Sequence, residues 1–174
     1  MATAVVTYER GTTYITNISD SETCHAVTGS LMVGGLMFDT IERYKPKGVD
    51  FVHLVQRDYN GVMYWHASKG RVINPWNGYG PNAKQNNILV HRGARPSHFE
   101  GCIGPGFLGK GGKDPTLPSA PDVMADGPIC MELIWENCGG APNSKAGWSA
   151  TALKVTFRVA NAFPDRATLK KYGA

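Results

Sequence analysis

Charge is scarce in this chain. Asp, Glu, Lys and Arg make up 18 % of the 174 residues, against about 25 % in an average soluble domain. That excludes a coiled coil or helical bundle, whose solvent faces are built from charged helix formers. No run approaches ~18 consecutive apolar residues, so no transmembrane helix is expected. Met1–Tyr8 holds no basic segment leading into an apolar one, so no export signal peptide is expected. The expected location is then the cytoplasm, a phage particle, or a periplasm reached by a non-Sec route. The four cysteines, Cys24, Cys102, Cys130 and Cys138, form no C-x-x-C pair, which argues against a zinc finger or ribbon. No metal and no other cofactor is expected. Without an export signal the thiols are expected to be free; a Cys130–Cys138 bridge is the alternative. The net charge of +4 is spread along the chain. It suits an anionic partner but lacks the basic cluster of a nucleic-acid footprint.

Turn formers, in contrast, are plentiful. There are 21 Gly and 11 Pro, while 42 % of residues are hydrophobic, enough for a core. The composition predicts a mainly β protein: a single compact barrel- or sandwich-like domain over 1–174, with long Gly/Pro-rich loops and little helix. Short β-rich runs occur at Ala4–Tyr8 and Thr12–Thr16. Gly34-Gly35 between two apolar runs predicts a hairpin. Asn60-Gly61, a favoured type I′ pair, predicts a turn between strands at Phe51–Arg57 and Val62–His66. Ile88-Leu89-Val90 predicts a short central strand. Ile129–Glu136 reads as a strand, and Leu153, Val155, Phe157 and Val159 give the clearest period-two pattern. Pro164–Tyr172 predicts a terminal helix. Residues 104–128 read as one long loop, of a length that is uncommon unless functional or disordered. It begins beside Cys102 and is expected to border any site there.

Chemistry concentrates between Ile88 and Gly104. His91 ends an apolar strand, and Cys102 follows eleven residues later between Gly101 and Ile103. A thiol nucleophile needs a nearby base or cation to become thiolate. His91 or His98 fits that role, and main-chain N–H groups around Gly101, Cys102 and Ile103 could hold an oxyanion. The other reading is structural, with Cys102 a small buried residue and His91 a hydrogen-bonding strut for the loop.

His91-x-Gly93 followed by Gly101-Cys102-Ile103 resembles the I-H-x-G-N…D-T-x-G-C-I pattern of a family of small phage and bacterial proteins of unassigned function. That pattern is in turn similar to the L,D-transpeptidase signature, in which H-G is followed by S-H-G-C-I-R. Gly29–Val33 with Phe38–Glu42 resembles the small family's early hairpin, so the likeness runs from Gly29 to Phe107. The resemblance implies Cys102 as acyl nucleophile, His91 as base, and Gly93 and Gly101 as backbone elements. This chain has Ala94 for the Asn, His98-Phe99 for the Asp-Thr, and Gly104 for the transpeptidase Arg. His98 could replace or assist His91, and Arg92 or Arg95 could replace the Arg in binding a substrate carboxylate. The implied activity is acyl transfer on a peptidoglycan stem peptide, by a peptidase or a transpeptidase. The alternative is a non-enzymatic structural or accessory protein with a protein partner, such as a phage particle component, in which His91 and Cys102 are structural or relic residues.

Three further features are weaker. Gly104–Gly111 nearly matches a phosphate-binding loop but lacks its Ser/Thr and a following helix. Adjacent Cys24 and His25 point apart in a strand, and His53 and His66 read as surface or packing residues. Trp65, Trp76, Trp135 and Trp148 with Tyr64 and Tyr79 could form a carbohydrate-stacking surface or serve as core anchors. The Trp76–Gly80 loop is the best candidate for exposed aromatic contacts.

Overall fold

The computed structural model describes residues 2–19, 22–109, 123–149 and 152–172. The protein is mainly β, 44 % strand and 16 % helix. Nine strands form one sheet: β1 (Ala4–Ser19), β2 (Glu22–Val33), β3 (Leu36–Tyr44), β4 (Arg57–His66), β5 (Gly70–Asn74), β6 (Val90–His91), β7 (Ile103–Leu108), β8 (Met124–Ala125) and β9 (Leu153–Val159). Their order is β3-β2-β1-β9-β4-β5-β6-β7-β8, and a β3–β7 pairing closes the sheet into a ring, leaving β8 outside it. Most neighbours are antiparallel; β1–β9 and β6–β7 are parallel. Among the described residues there are also three α-helices, α1 (Ala83–Asn86), α2 (Gly127–Asn137) and α3 (Arg166–Tyr172), and a 3-10 turn at Pro96–His98.

Alternation along the strands sorts the side chains. Val6, Leu31, Phe38, Met63, Ile73, Val90, Ile103 and Phe157 point into the ring and are buried together. Cys130, Met131, Ile134 and Trp135 of α2 join this cluster. Asn137, the last residue of α2, reaches the Gly34 turn, where a Cβ would lie 3.1 Å from its Oδ1. A second, smaller cluster faces away from the interior: Ala26, Ile41, Val72, Leu89 and Cys102, under Phe99 and Met124.

The β2–β3 hairpin has Val33 opposite Leu36, with Gly34 in the left-handed region at φ 56°. β9 and α3 also lie where the sequence predicts them. Three local expectations are corrected. Asn60-Gly61 is not a turn but lies within β4, which pairs with β9 from Arg57 to Met63. The actual β4–β5 turn comes later, with His66 opposite Gly70, and Phe51–Val55 is outside any strand. Ile129–Glu136 is helical: its buried residues 130, 131, 134 and 135 share one helical face, while Ile129 stays 59 % exposed. Finally, 104–128 is not one loop. It contains most of β7, β8 and the start of α2, because Gly104 and Gly106 let other groups approach the strand closely. A Cβ at Gly104 would lie 2.0 Å from Phe99 Cζ, and one at Gly106 2.6 Å from the Ala125 carbonyl. Residues 110–122, the rest of that expected loop, lie outside the described residues.

Candidate functional site

The residues that carry the His/Cys pattern lie on β6, on β7 and in the segment between them. β6 and β7 run parallel with Val90 beside Ile103. That register sets Cys102 beside Leu89, and His91 two residues further on, beside Gly104. The Cys102 Sγ accepts the Leu89 N–H at 3.4 Å and donates to the Asn87 carbonyl at 3.5 Å. The Ile103 N–H donates to the Leu89 carbonyl at 3.0 Å and so belongs to the strand pairing. Cys102 is 7 % exposed. Burial pushes its thiol above the ordinary value, against the opposing Leu89 N–H.

His91 is also buried. Its Nδ1–H donates to the Arg92 carbonyl at 2.7 Å; a carbonyl only accepts, so the proton sits on Nδ1. Burial lowers the ring's pKa to about 4 despite that bond, leaving it neutral near pH 7. Its Nε2 is buried with no hydrogen-bond partner among the described residues. The ring packs on Phe99, with centroids 4.9 Å apart. Phe99 in turn stands on Gly104 and also touches the Gly93 backbone. His98 is exposed, and its Nδ1 accepts the Ala94 N–H at 3.1 Å. Among the described residues no hydrogen bond joins Cys102 to either imidazole.

The remaining expected residues take separate positions. Gly101 holds a left-handed φ of 84°, and a Cβ there would lie 2.2 Å from the Val52 carbonyl. Glycine is therefore required for the close passage of the 51–52 segment. Arg95 is 1 % exposed. Arg92 is exposed and lines a recess of about 130 Å³ with Trp65, Pro128 and Glu132. A larger cleft of about 450 Å³ has Asn87, the carbonyl partner of Cys102, in its lining, but not Cys102 itself. Glu100, Lys45, Asp50, Phe51 and Lys84 also line it. None of the four cysteines is in a disulfide.

A buried polar cluster lies inside the barrel, on the alternate positions of β1 and β3. Glu42 is 0 % exposed. It accepts from Tyr8 Oη at 2.6 Å and from Arg10 Nε at 2.7 Å, and it lies 3.0 Å from His53 Nδ1. Arg10 also donates to the carbonyls of Leu54 and Asn161. His53 stacks on Phe163 at 3.6 Å, and its Nε2 is 3.4 Å from Asp50. Burial alone would raise Glu42, but Arg10 and His53 outweigh it and hold the carboxyl at about 2. Burial opposes protonation of His53, yet Asp50 and Glu42 raise its pKa. His53 is thus an ion-pair partner and not a surface residue. The signal for this cluster was parity: Glu42 follows Phe38 and Thr40 on the inward face, and Arg10 follows Val6 and Tyr8. Glu42 lies six residues beyond Leu36, about 20 Å along β3 from the turn that α2 reaches.

Among the described residues no helix is long and apolar enough to cross a membrane. Comparison with protein-family models, with curated proteins and with solved structures finds no match to this chain.

Proposed function

We propose that this chain is a non-enzymatic structural or accessory protein, a closed β domain that works by binding, of the kind a phage particle carries. The observation that supports this reading is the setting of Cys102. Its thiol is buried, bonded to main-chain groups of the 87–89 segment, raised in pKa and without an imidazole partner among the described residues. A cysteine nucleophile needs the reverse: a lowered pKa, an adjacent base and access. His91, with its Nδ1–H on the Arg92 carbonyl and its ring on Phe99, then serves to pin the 92–101 segment. The test is a digest of purified peptidoglycan. Wild type, Cys102→Ala and a protein-free control are expected to give identical muropeptide profiles. A product formed by wild type and lost in Cys102→Ala overturns the proposal.

A second reading is favoured by the cleft of about 450 Å³ whose wall includes Asn87, the residue whose carbonyl takes the Cys102 S–H. In it, Cys102 attacks the amide carbonyl of a stem peptide, a thioester forms, and the amine leaves with a proton. Water or a second amine then releases the acyl group. This reading requires Cys102 to ionise on substrate binding, and the same digest decides between the two.

A further inference from the structure

On the outer face of the barrel, away from Cys102, two clefts meet. One, of about 500 Å³, is lined by Tyr79, Trp148, Asn77 and Lys154, among others. The other, of about 300 Å³, is lined by Thr3, Asn60 and Thr156, and again by Asn77 and Lys154. The shared walls make them the two halves of one groove, aromatic at one end and amide- and hydroxyl-lined at the other. The polar half follows from strand pairing, since Asn60 lies opposite Thr156 and Val62 opposite Lys154 across β4 and β9.

The aromatic end is held in place. Trp148 is 59 % exposed and Tyr79 83 % exposed. The Trp148 indole N–H donates to Asn77 Oδ1 at 3.1 Å. The ring also rests on Gly78, where a Cβ would lie only 3.2 Å from Trp148 Cζ2. Asn77 and Gly78 both take left-handed backbone, at φ 50° and 76°. The Asn77 N–H is bound by Asn74 Oδ1 at 3.0 Å and the Tyr79 N–H by the Trp76 carbonyl at 2.8 Å. The Trp148 ring is thus held facing solvent, and the turn that fixes the Tyr79 backbone places a second exposed aromatic in the same cleft.

The geometry points to a binding site for a carboxylate-bearing oligosaccharide in this groove. The C–H faces of a pyranose ring carry slight positive charge and stack on electron-rich indole and phenol faces. Its hydroxyls need the amide and hydroxyl groups that Asn77, Asn60, Thr3 and Thr156 supply. Lys154 is the lysine shared by both halves, and among the described residues no Asp or Glu lines either. One cation with no opposing carboxylate suits an acidic sugar. A nucleic acid strand would call for a track of several cations. Neither Cys102 nor His91 lines the groove, so the inference stands or falls apart from the proposal on catalysis.

The test is calorimetric titration of the whole chain with trigalacturonate and 3′-sialyllactose as acidic probes, cellotriose and chitotriose as neutral ones, and oligothymidylate as a nucleic-acid control. At least one acidic probe is expected to bind more tightly than both neutral ones. Tyr79→Ala, which removes a side chain exposed to solvent, and Trp148→Ala should each weaken that binding roughly tenfold. Lys154→Gln should remove the preference for the acidic probe. The inference is overturned if neither acidic probe binds at millimolar concentration, or if binding survives both aromatic substitutions. It is equally overturned if the neutral sugars bind as tightly to wild type, or if oligothymidylate binds more tightly than the sugars through Trp148.

Discussion

The Sγ of Cys102 accepts the main-chain N–H of Leu89 at 3.4 Å, across the parallel pair β6–β7. That one contact fixes which residue faces the thiol. Side chains on neighbouring parallel strands meet at the same level, so Cys102 meets Leu89, while His91 stands beside Gly104 under Phe99. The thiol is therefore part of the outer apolar cluster, and its setting is that of a packed residue.

His91 gives the domain an acid-sensitive element. Its folded-state pKa, about 4, lies below the ordinary 6.5. The stability it contributes is present above pH 6.5 and is lost as pH falls from 6.5 towards 4, to the extent of about 3 kcal/mol. Urea unfolding across that window should show this slope in wild type and a flatter curve in His91→Gln. Equal slopes would mean that His91 is not buried neutral. His53, whose pKa is raised, acts in the opposite sense: its contribution is complete below pH 6.5 and fades as pH rises through its folded pKa.

The Arg10–Glu42 pair is expected to be costly to break and cheap to replace. Glu42→Ala leaves the Arg10 guanidinium buried without its carboxylate and should cost about 3–5 kcal/mol. The double change Arg10→Met with Glu42→Leu should recover most of that loss. Chemical denaturation of the three proteins checks this. A single-mutant loss below about 1 kcal/mol would contradict the burial of the pair. Acid should act through the same carboxyl: with a pKa of about 2 against 4.5, Glu42's contribution is present above pH 4.5 and is lost as pH falls towards 2.

Gly104→Ala places a Cβ where the Phe99 ring stands. Overpacking of this kind costs about 1–3 kcal/mol. Phe99→Leu removes the ring atoms nearest that Cβ and should relieve part of the cost, so the two changes together should be milder than their sum. Thermal melts of the singles and the double give the coupling directly; strict additivity would contradict the contact.

How much of this was legible in the sequence depended on how far apart the interacting residues lie. Gly34-Gly35 announced its hairpin because both strands and the turn are adjacent. β9 was legible because its strict alternation admits no helical face. Asn60-Gly61 misled because a local turn preference was overridden by β9, which arrives more than 90 residues later to pair with β4. The 129–136 segment has apolar residues on both parities, so period two and a helical face fit it about equally. Packing decided for the helix by burying Cys130, Met131, Ile134 and Trp135 together. The spacing of His91, on β6, and Cys102, directly before β7, suggested a base beside a thiol. It could not announce register, and a two-residue offset separates a base from its thiol. The Tyr8, Arg10, Glu42 and His53 cluster was hidden because charged residues on an inward face are legible only once the inward face is known.

The most direct test is the pH dependence of iodoacetamide alkylation of Cys102 in the native protein, followed by peptide mass mapping. A packed thiol reacts slowly near pH 7 and gains rate only above the ordinary thiol range, with its burden of burial visible as a further delay relative to the unfolded chain. A fast reaction with a midpoint below pH 7.5, abolished by His91→Gln or His98→Gln, would make Cys102 an activated nucleophile and contradict the non-enzymatic reading.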